Sequence, residues 1–423
     1  MPRMTREERA QIRKKLHTAY KRSGILDAYV PLDESARRDI PALSTGSIVL
    51  NALIGNDGWP EGRVVEVFGP ESVGKTTVAI AACIEAQKRG GVAVYIDFEH
   101  ALHLGYAQAM GLDLSEDAFE FYQPDHFEQG AMIAYNAAKH LKADIVVLDS
   151  VAAMIPQAEF EKGPDAGTGA LGLQARLMSK FMNQITKELT KAGTLLFVIN
   201  QMRSNIKTSR YDAGPDWTTT GGKALPYYAT IRLRLKPGKT EQAMIDNKLT
   251  GGKDKIPVSN FVRAESHKNK VGFPKRKGEF VIRYGEGIDN CRSIIDVAER
   301  YKIIKKAGSW YEYKHKDTDH VHHLKRQGVE QLRKALLEKP EIFQELASEV
   351  MDKLIDTQIM KIDAELSDDD LTVVDRSHLD IDEDQIIEED DDFTFDEGDI
   401  QVDDTPEGIL SLDDLSNLEV LDE

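Results

Sequence analysis

A chain of 423 residues with 41% apolar residues is long enough for two or three folded units and a sizeable core. No apolar stretch approaches the roughly 18 residues that span a bilayer, the N-terminus is charged from Arg3 to Arg22, and Cys83 and Cys291 are the only cysteines; membrane insertion, secretion and a cysteine-only zinc site are not expected, and a reducing cytosol is. The formal charge of −18 is unevenly spread: residues 361–423 hold 26 Asp/Glu and 2 Lys/Arg, a net −24, leaving 46 acids and 52 bases, a net +6, in residues 1–360.

In chain order, residues 4–22 predict a basic helix, with Arg6, Arg9, Arg13, Lys14, Lys15, Lys21 and Arg22 around Ile12, Leu16 and Tyr20. A loop with Pro31 and Pro41 follows. From residue 45 to 290 apolar runs alternate with helical patterns. Strands are predicted at 63–68, 92–98, 144–149, 194–200, 229–235 and 258–266, and helices near 75–89, 126–141 and 170–191. That alternation specifies an α/β fold with a mostly parallel, doubly wound sheet. The runs 145–148 and 195–199 are apolar without alternation, as in strands covered on both faces. Segment 229–235 alternates Ile231, Leu233 and Leu235 with Arg232 and Arg234, so one side is expected to face solvent or a partner. Leu173, Leu177, Phe181 and Ile185 form a core stripe. Residues 202–223 and 236–257 have little periodicity and read as mobile loops. Residues 291–360 read as a smaller α+β unit, with a helical pattern over 329–360 broken at Pro340. The tail 361–423 is either a disordered, solvated segment or one that competes with a polyanion for the body's basic surface.

The octapeptide Gly69-Pro70-Glu71-Ser72-Val73-Gly74-Lys75-Thr76 follows a predicted strand and opens a helix that begins with Thr77. Strand, glycine-rich loop and helix is the arrangement that grips nucleotide phosphates. Two glycines let backbone N–H groups converge on an anion, Lys75 supplies a cation for the β and γ phosphates, and the Thr76 hydroxyl can ligate Mg²⁺. Three predicted strands end in polar residues. The run 145–148 ends in Asp149-Ser150, where Asp149 either holds hydrated Mg²⁺ or caps the next turn. The run 92–96 leads to Glu99, a base for an attacking water or an exposed acid. The run 195–199 leads to Asn200-Gln201, where Gln201 senses a γ-phosphate or is a satisfied amide. Residues 202–223 carry Arg203, Lys207, Arg210, Trp217, three threonines, Gly221, Gly222 and Lys223, a set suited to a phosphodiester backbone or to a solvated loop. Gly163 to Gly172 is a second flexible loop, leading into Arg176.

These residues resemble the bacterial RecA strand-exchange family. Ser44-Thr-Gly-Ser47, Pro60-Glu-Gly-Arg63, Gly69-Pro-Glu-Ser72, Ile96-Asp-Phe-Glu-His-Ala-Leu102, Asp149-Ser-Val-Ala-Ala153, Ile199-Asn-Gln201, Thr218-Thr-Thr-Gly-Gly222, Lys268-Asn-Lys270 and Tyr284-Gly-Glu-Gly-Ile288 follow that family's blocks in its order, over roughly residues 40–310. The resemblance implies a RecA-type ATPase core at 45–290, preceded by an oligomerisation segment (1–44) and followed by a small C-terminal domain (291–360) and the acidic tail.

It also implies ATP on residues 69–77 with Tyr106 against the adenine, Mg²⁺ at Thr76 and Asp149 beside Ser150, and Glu99 as the base. Gln201 is the implied sensor, and Lys268 and Lys270 the cations that reach ATP on a neighbouring subunit. The implied DNA loops are 160–172 and 202–223, with Leu171, Gly172, Arg176, Ser179, Arg203, Thr220, Gly221, Gly222 and Lys223 as contacts. The implied partners are single-stranded DNA, homologous duplex DNA and further copies in a helical filament, in the cytoplasm and without a membrane. Loader or mediator proteins on the acidic tail complete the expected set. Departures from the family pattern are His103 for an acid near the base site, Pro226 for lysine, Tyr227 for phenylalanine, Asn183 for arginine and Lys223 for asparagine; 236–257 is also longer. They bear on the tuning of ATP–DNA coupling rather than on activity itself. The expected function is ATP-dependent pairing and exchange of DNA strands. A ring helicase or motor on the same core, and a non-hydrolysing ATP-dependent single-stranded-DNA-binding protein, are the alternatives.

Overall fold

Apolar runs without alternation become the centre of one large sheet in the computed structural model, which describes residues 40–163, 172–204, 217–246, 253–314 and 323–365, with residues 5, 9–10 and 12–14. In chain order the strands are β1 (Ala42–Leu43), β2 (Trp59–Pro60), β3 (Val64–Gly69), β4 (Ala93–Asp97), β5 (Phe119–Tyr122), β6 (Ile145–Asp149), β7 (Leu195–Ser204) and β8 (Trp217–Thr219). They continue with β9 (Ile231–Asp246), β10 (Lys253–Asn269), β11 (Lys277–Arg283), β12 (Gly287–Ile288), β13 (Ile304–Ala307), β14 (Trp310–Lys314) and β15 (His323–Gln327). The main sheet runs β12-β11-β10-β9-β3-β7-β6-β4-β5, with β8 paired to β7. From β9 to β5 neighbouring strands are parallel, and β9 to β12 are antiparallel.

Helices cover both faces, as the uniformly apolar strands require. Val65, Val67, Tyr95, Ile145 and Val147 point into one core with the helices Ile48–Ile54 and Lys75–Lys88. Val64, Ile96, Val146 and Leu148 point into the other, against Ala134 of Phe127–Asn136 and Phe181 and Ile185 of Leu173–Ala192. The expected stripe on that last helix holds at Phe181 and Ile185, and Met178, Met182 and Leu189 widen it.

The segment 236–257 is not a loop over its described residues. It forms the distal parts of β9 and β10, paired from Lys253 opposite Asp246 to Asn269 opposite Ile231, with register shifts along the way. Ile231, Leu233 and Leu235 are fully buried as the alternation predicts, while Arg232 and Arg234 are half-buried. Cation–π contacts, Arg232 with Phe68 and Arg234 with Trp217, cover their side.

Asp289 caps the helix Asn290–Arg300, its Oδ1 accepting from Arg292 N at 2.9 Å, and that helix buries Ile294 and Ile295 in the first core. Strands β13 to β15 make a small antiparallel sheet, followed by helices Val329–Leu337 and Pro340–Glu365, which break where Pro340 predicts. Residues 9–10 and 12–14 of the expected N-terminal helix are helical and residue 5 is not; the rest of 4–22 and the acidic chain from residue 366 lie outside the described residues. None of the described helices is long and apolar enough to cross a membrane.

Candidate phosphate cleft and nucleic-acid interface

The parallel strands β3, β4, β6 and β7 end on the same side of the sheet, so the polar residues that follow each apolar run meet there. A cleft of about 410 Å³ is lined by Glu71, Ser72, Gly74, Lys75, Thr76, Thr77, Glu99, Asp149 and Gln201. A larger groove of about 630 Å³ between β9, β10 and β11 shares none of these residues, and its cations Lys236, Lys239, Arg263 and Arg300 are paired with Glu265, Glu279 and Asp296.

The loop that bounds the cleft depends on its glycines. Gly74 adopts φ +97°, and a Cβ there would stand 2.3 Å from Ile282 Cδ1; a Cβ on Gly69 would stand 2.5 Å from Leu235 O. Gly74 caps the helix Lys75–Lys88 without a side-chain hydrogen bond, which leaves the first helical N–H groups turned to the cleft. Lys75 is 9% exposed, and its Nζ donates to the carbonyls of Gly69 (3.2 Å) and Pro70 (2.7 Å). Burial lowers its pKa, opposed by the charges of Asp149, Glu99 and Glu71.

Asp149 closes the base of the cleft and is 7% exposed. Its Oδ2 accepts from Thr76 Oγ1 at 3.0 Å and from Tyr95 Oη at 2.7 Å. Burial pushes the Asp149 pKa up to about 6; the neighbouring charges of Glu99 and Asp97 add to this, and the hydrogen bonds from Tyr95 and Thr76 oppose it. Among the described residues no protein donor reaches Oδ1. A hydroxyl and a carboxylate are hard oxygen ligands of the kind Mg²⁺ takes when phosphates and water fill its remaining positions, so the donor set fits that ion. Glu99 is exposed at the cleft, and its Oε1 accepts from Gln201 Nε2 at 3.0 Å and from the buried hydroxyl of Ser150.

Thus Lys75, Thr76, Glu99, Asp149 and Gln201 come together, with Pro70 accepting from Lys75 and Ser150 donating to Glu99, while Val73 is buried in the core. Tyr106 is half exposed beside the Tyr284–Gly285 turn, where its Oη accepts weakly from Gly285 N at 3.4 Å. His103 Nδ1 accepts from Tyr106 N at 2.9 Å and caps the short helix Leu104–Ala109. Lys268 and Lys270 do not line the cleft of their own chain. Lys268 Nζ donates to the carbonyls of Pro226 and Tyr227, both at 2.8 Å, and Lys270 is exposed.

Of the DNA-loop candidates, Gly172, Arg176, Ser179, Gly222 and Lys223 are exposed. Gly221 and Gly222 have positive φ, and a Cβ on either would press on Val151 (2.8 Å) or on Ala175 (2.7 Å). Their bareness seats the end of the second loop on the helix that begins after the first. Thr220 turns inward: its hydroxyl donates to Asn200 Oδ1 at 2.6 Å. Leu171 lies outside the described residues, as do Lys207 and Arg210 and the side chain of Arg203. Sequence reasoning missed Tyr95, Glu66 and Arg232, whose partners lie dozens of residues away; the only signals were a hydroxyl and an acid inside otherwise apolar strands.

The model for the RecA N-terminal domain matches residues 11–289, and that for the RecA C-terminal domain matches residues 292–355. The chain is 42% identical to Protein RecA of Nocardia farcinica over 327 residues, covering 77% of this chain and 87% of that one. It is 40% identical to Protein RecA of Streptococcus pneumoniae over 322 residues, covering 76% of this chain and 78% of that one.

Proposed function

The chain belongs to the RecA family, and on that premise we propose how its own residues divide the work. It is a DNA-dependent ATPase of homologous recombination, which binds ATP and DNA, assembles with itself into filaments and exchanges strands. Neither a helicase nor a non-hydrolysing binding protein is favoured.

In the proposed division, residues 69–77 hold the phosphates, with Lys75 leaving its two carbonyls to meet phosphate oxygens. Thr76 and Asp149 hold Mg²⁺, which when bound offsets phosphate charge. Glu99 takes the proton of the attacking water, oriented by Ser150 and Gln201. Tyr106 packs on the base. Lys268 and Lys270 act on the adjacent subunit's nucleotide, so that turnover follows assembly. The limbs at Gly172–Ser179 and Thr220–Lys223, with Leu171 and Arg203, grip single-stranded DNA through its backbone. We place the 1–44 segment at the subunit contact, 291–360 as a small C-terminal domain, the protein in the cytoplasm, and loader or mediator proteins on the acidic tail.

The observation that carries the reading is the hydrogen bond from Gln201 to Glu99 at 3.0 Å, because it joins the carboxylate read as the base to the strand that leads into the second loop. Phosphate release with and without single-stranded DNA, together with joint-molecule formation from homologous DNA, tests it. DNA-stimulated release and ATP-dependent joint molecules are expected; release indifferent to DNA would contradict it.

A further inference from the structure

Glu66 is fully buried in β3, three residues before the phosphate loop, and both of its carboxylate oxygens are taken. Oε1 accepts from Asn200 Nδ2 at 2.9 Å, and Oε2 accepts from Arg232 Nε. The two donors come from the two strands that flank β3, namely β7 and β9.

Both donors continue to the same short stretch of the second loop. Asn200 Oδ1 accepts from the Thr220 hydroxyl (2.6 Å) and from Gln201 N (2.9 Å), and its Nδ2 also donates to Thr220 O (2.9 Å). Arg232 Nη2 donates to Thr219 Oγ1 at 3.2 Å. The start of the same limb is fixed to β3 as well: Trp217 stacks on Phe68 with ring centroids 5.0 Å apart. A carboxylate removed from water has to be matched by donors, and here every donor that matches it also positions the limb 217–220 or the residue beside Gln201.

We propose that Glu66 and Arg232 are positioning residues that fix the Thr219–Thr220 limb relative to Gln201, so that the loop's grip on single-stranded DNA depends on the γ-phosphate. Neither residue is among those that line the phosphate cleft. The proposal rests on the reading of Gln201 as the sensor. Without the Glu66 link, Gln201 still meets Glu99 and the limb keeps its contacts to Asn200 and Arg232, but nothing fixes those two side chains relative to each other across β3. The chemistry of the link is selective, since Glu66 faces two donors. A carboxylate accepts from both; an amide accepts from one and turns its own N–H₂ toward the other.

The test is the ratio of single-stranded-DNA affinities with a slowly hydrolysed ATP analogue and with ADP, measured on the full chain by fluorescence anisotropy. Linkage requires DNA to change nucleotide affinity by the same factor, which supplies an independent readout. Glu66→Gln is expected to reduce the ratio by at least about tenfold while leaving nucleotide affinity without DNA unchanged. If that variant fails to fold, Glu66→Gln with Arg232→Met removes both charges, leaves no lone buried ion, and is read in its place. Gln201→Ala serves as the control. A lowered melting temperature with an unchanged ratio in the Glu66 variants, while Gln201→Ala loses the ratio, overturns the proposal and leaves the sensor intact. An unchanged ratio in Gln201→Ala overturns the sensor reading and the proposal with it.

Discussion

The phenol of Tyr95 stands 2.7 Å from Oδ2 of Asp149, the same oxygen that the Thr76 hydroxyl reaches at 3.0 Å. Two donors on one oxygen leave the other directed to the cleft. Tyr95 is completely buried, so this hydrogen bond cannot be replaced by water.

Burial raises the Asp149 pKa to about 6, so the carboxylate that would hold a cation is protonated as pH falls through that value. Cation-dependent nucleotide binding should therefore weaken below about pH 6. The Tyr95 bond works against the rise, and Tyr95→Phe should move this acid limb to higher pH, with little change at pH 8. Titrating nucleotide affinity against pH at fixed Mg²⁺ checks it; coincident limbs for the two proteins would refute the role of Tyr95.

Lys75→Ala removes the one ammonium among the described residues that line the cleft. The loss of charge-assisted hydrogen bonds to phosphate, worth about 1.5–3 kcal/mol, lowers affinity by at least about tenfold. Calorimetric titration with a non-hydrolysed analogue measures it, and affinity within twofold of the parent would count against the cradle.

Glu99→Gln is a conservative change in this setting. Ser150 and Gln201 both donate to Oε1, which the amide retains, so the local geometry survives while the base is lost. Turnover should fall by about 10²–10⁴-fold with ATP-dependent DNA binding preserved. Rapid phosphate release by this variant would sink the assignment.

Removing residues 361–423 deletes a net charge of −24 from a body of net +6. Single-stranded-DNA affinity should rise at low salt, and the difference should shrink toward about 1 M, where the Debye length is about 3 Å. Equal affinities at every salt concentration would mean that the tail does not compete electrostatically.

Much of the site was readable because each component sits where an apolar run stops. Asp149 ends a fully buried β6, and Gln201 follows five apolar residues of β7. The distal hairpin was not readable. Its β9 residues from Lys236 to Gln242 carry no apolar alternation, and their order comes from β10, which one strand's periodicity does not report. β5 was passed over for a different reason, since four residues, Phe119–Tyr122, are too short to separate from a turn. Glu66 and Tyr95 looked like isolated exceptions within strands. Their meaning comes from Asn200, Arg232 and Asp149, which only the folded chain brings within reach.

The grip of Lys75 on the carbonyls of Gly69 and Pro70 has a consequence for the cycle of the whole filament. A side chain that bridges its own loop braces the socket from within, as a keystone does an arch. If Lys75 meets phosphate as proposed, an incoming nucleotide has only to displace two carbonyls from a loop that holds its shape without it.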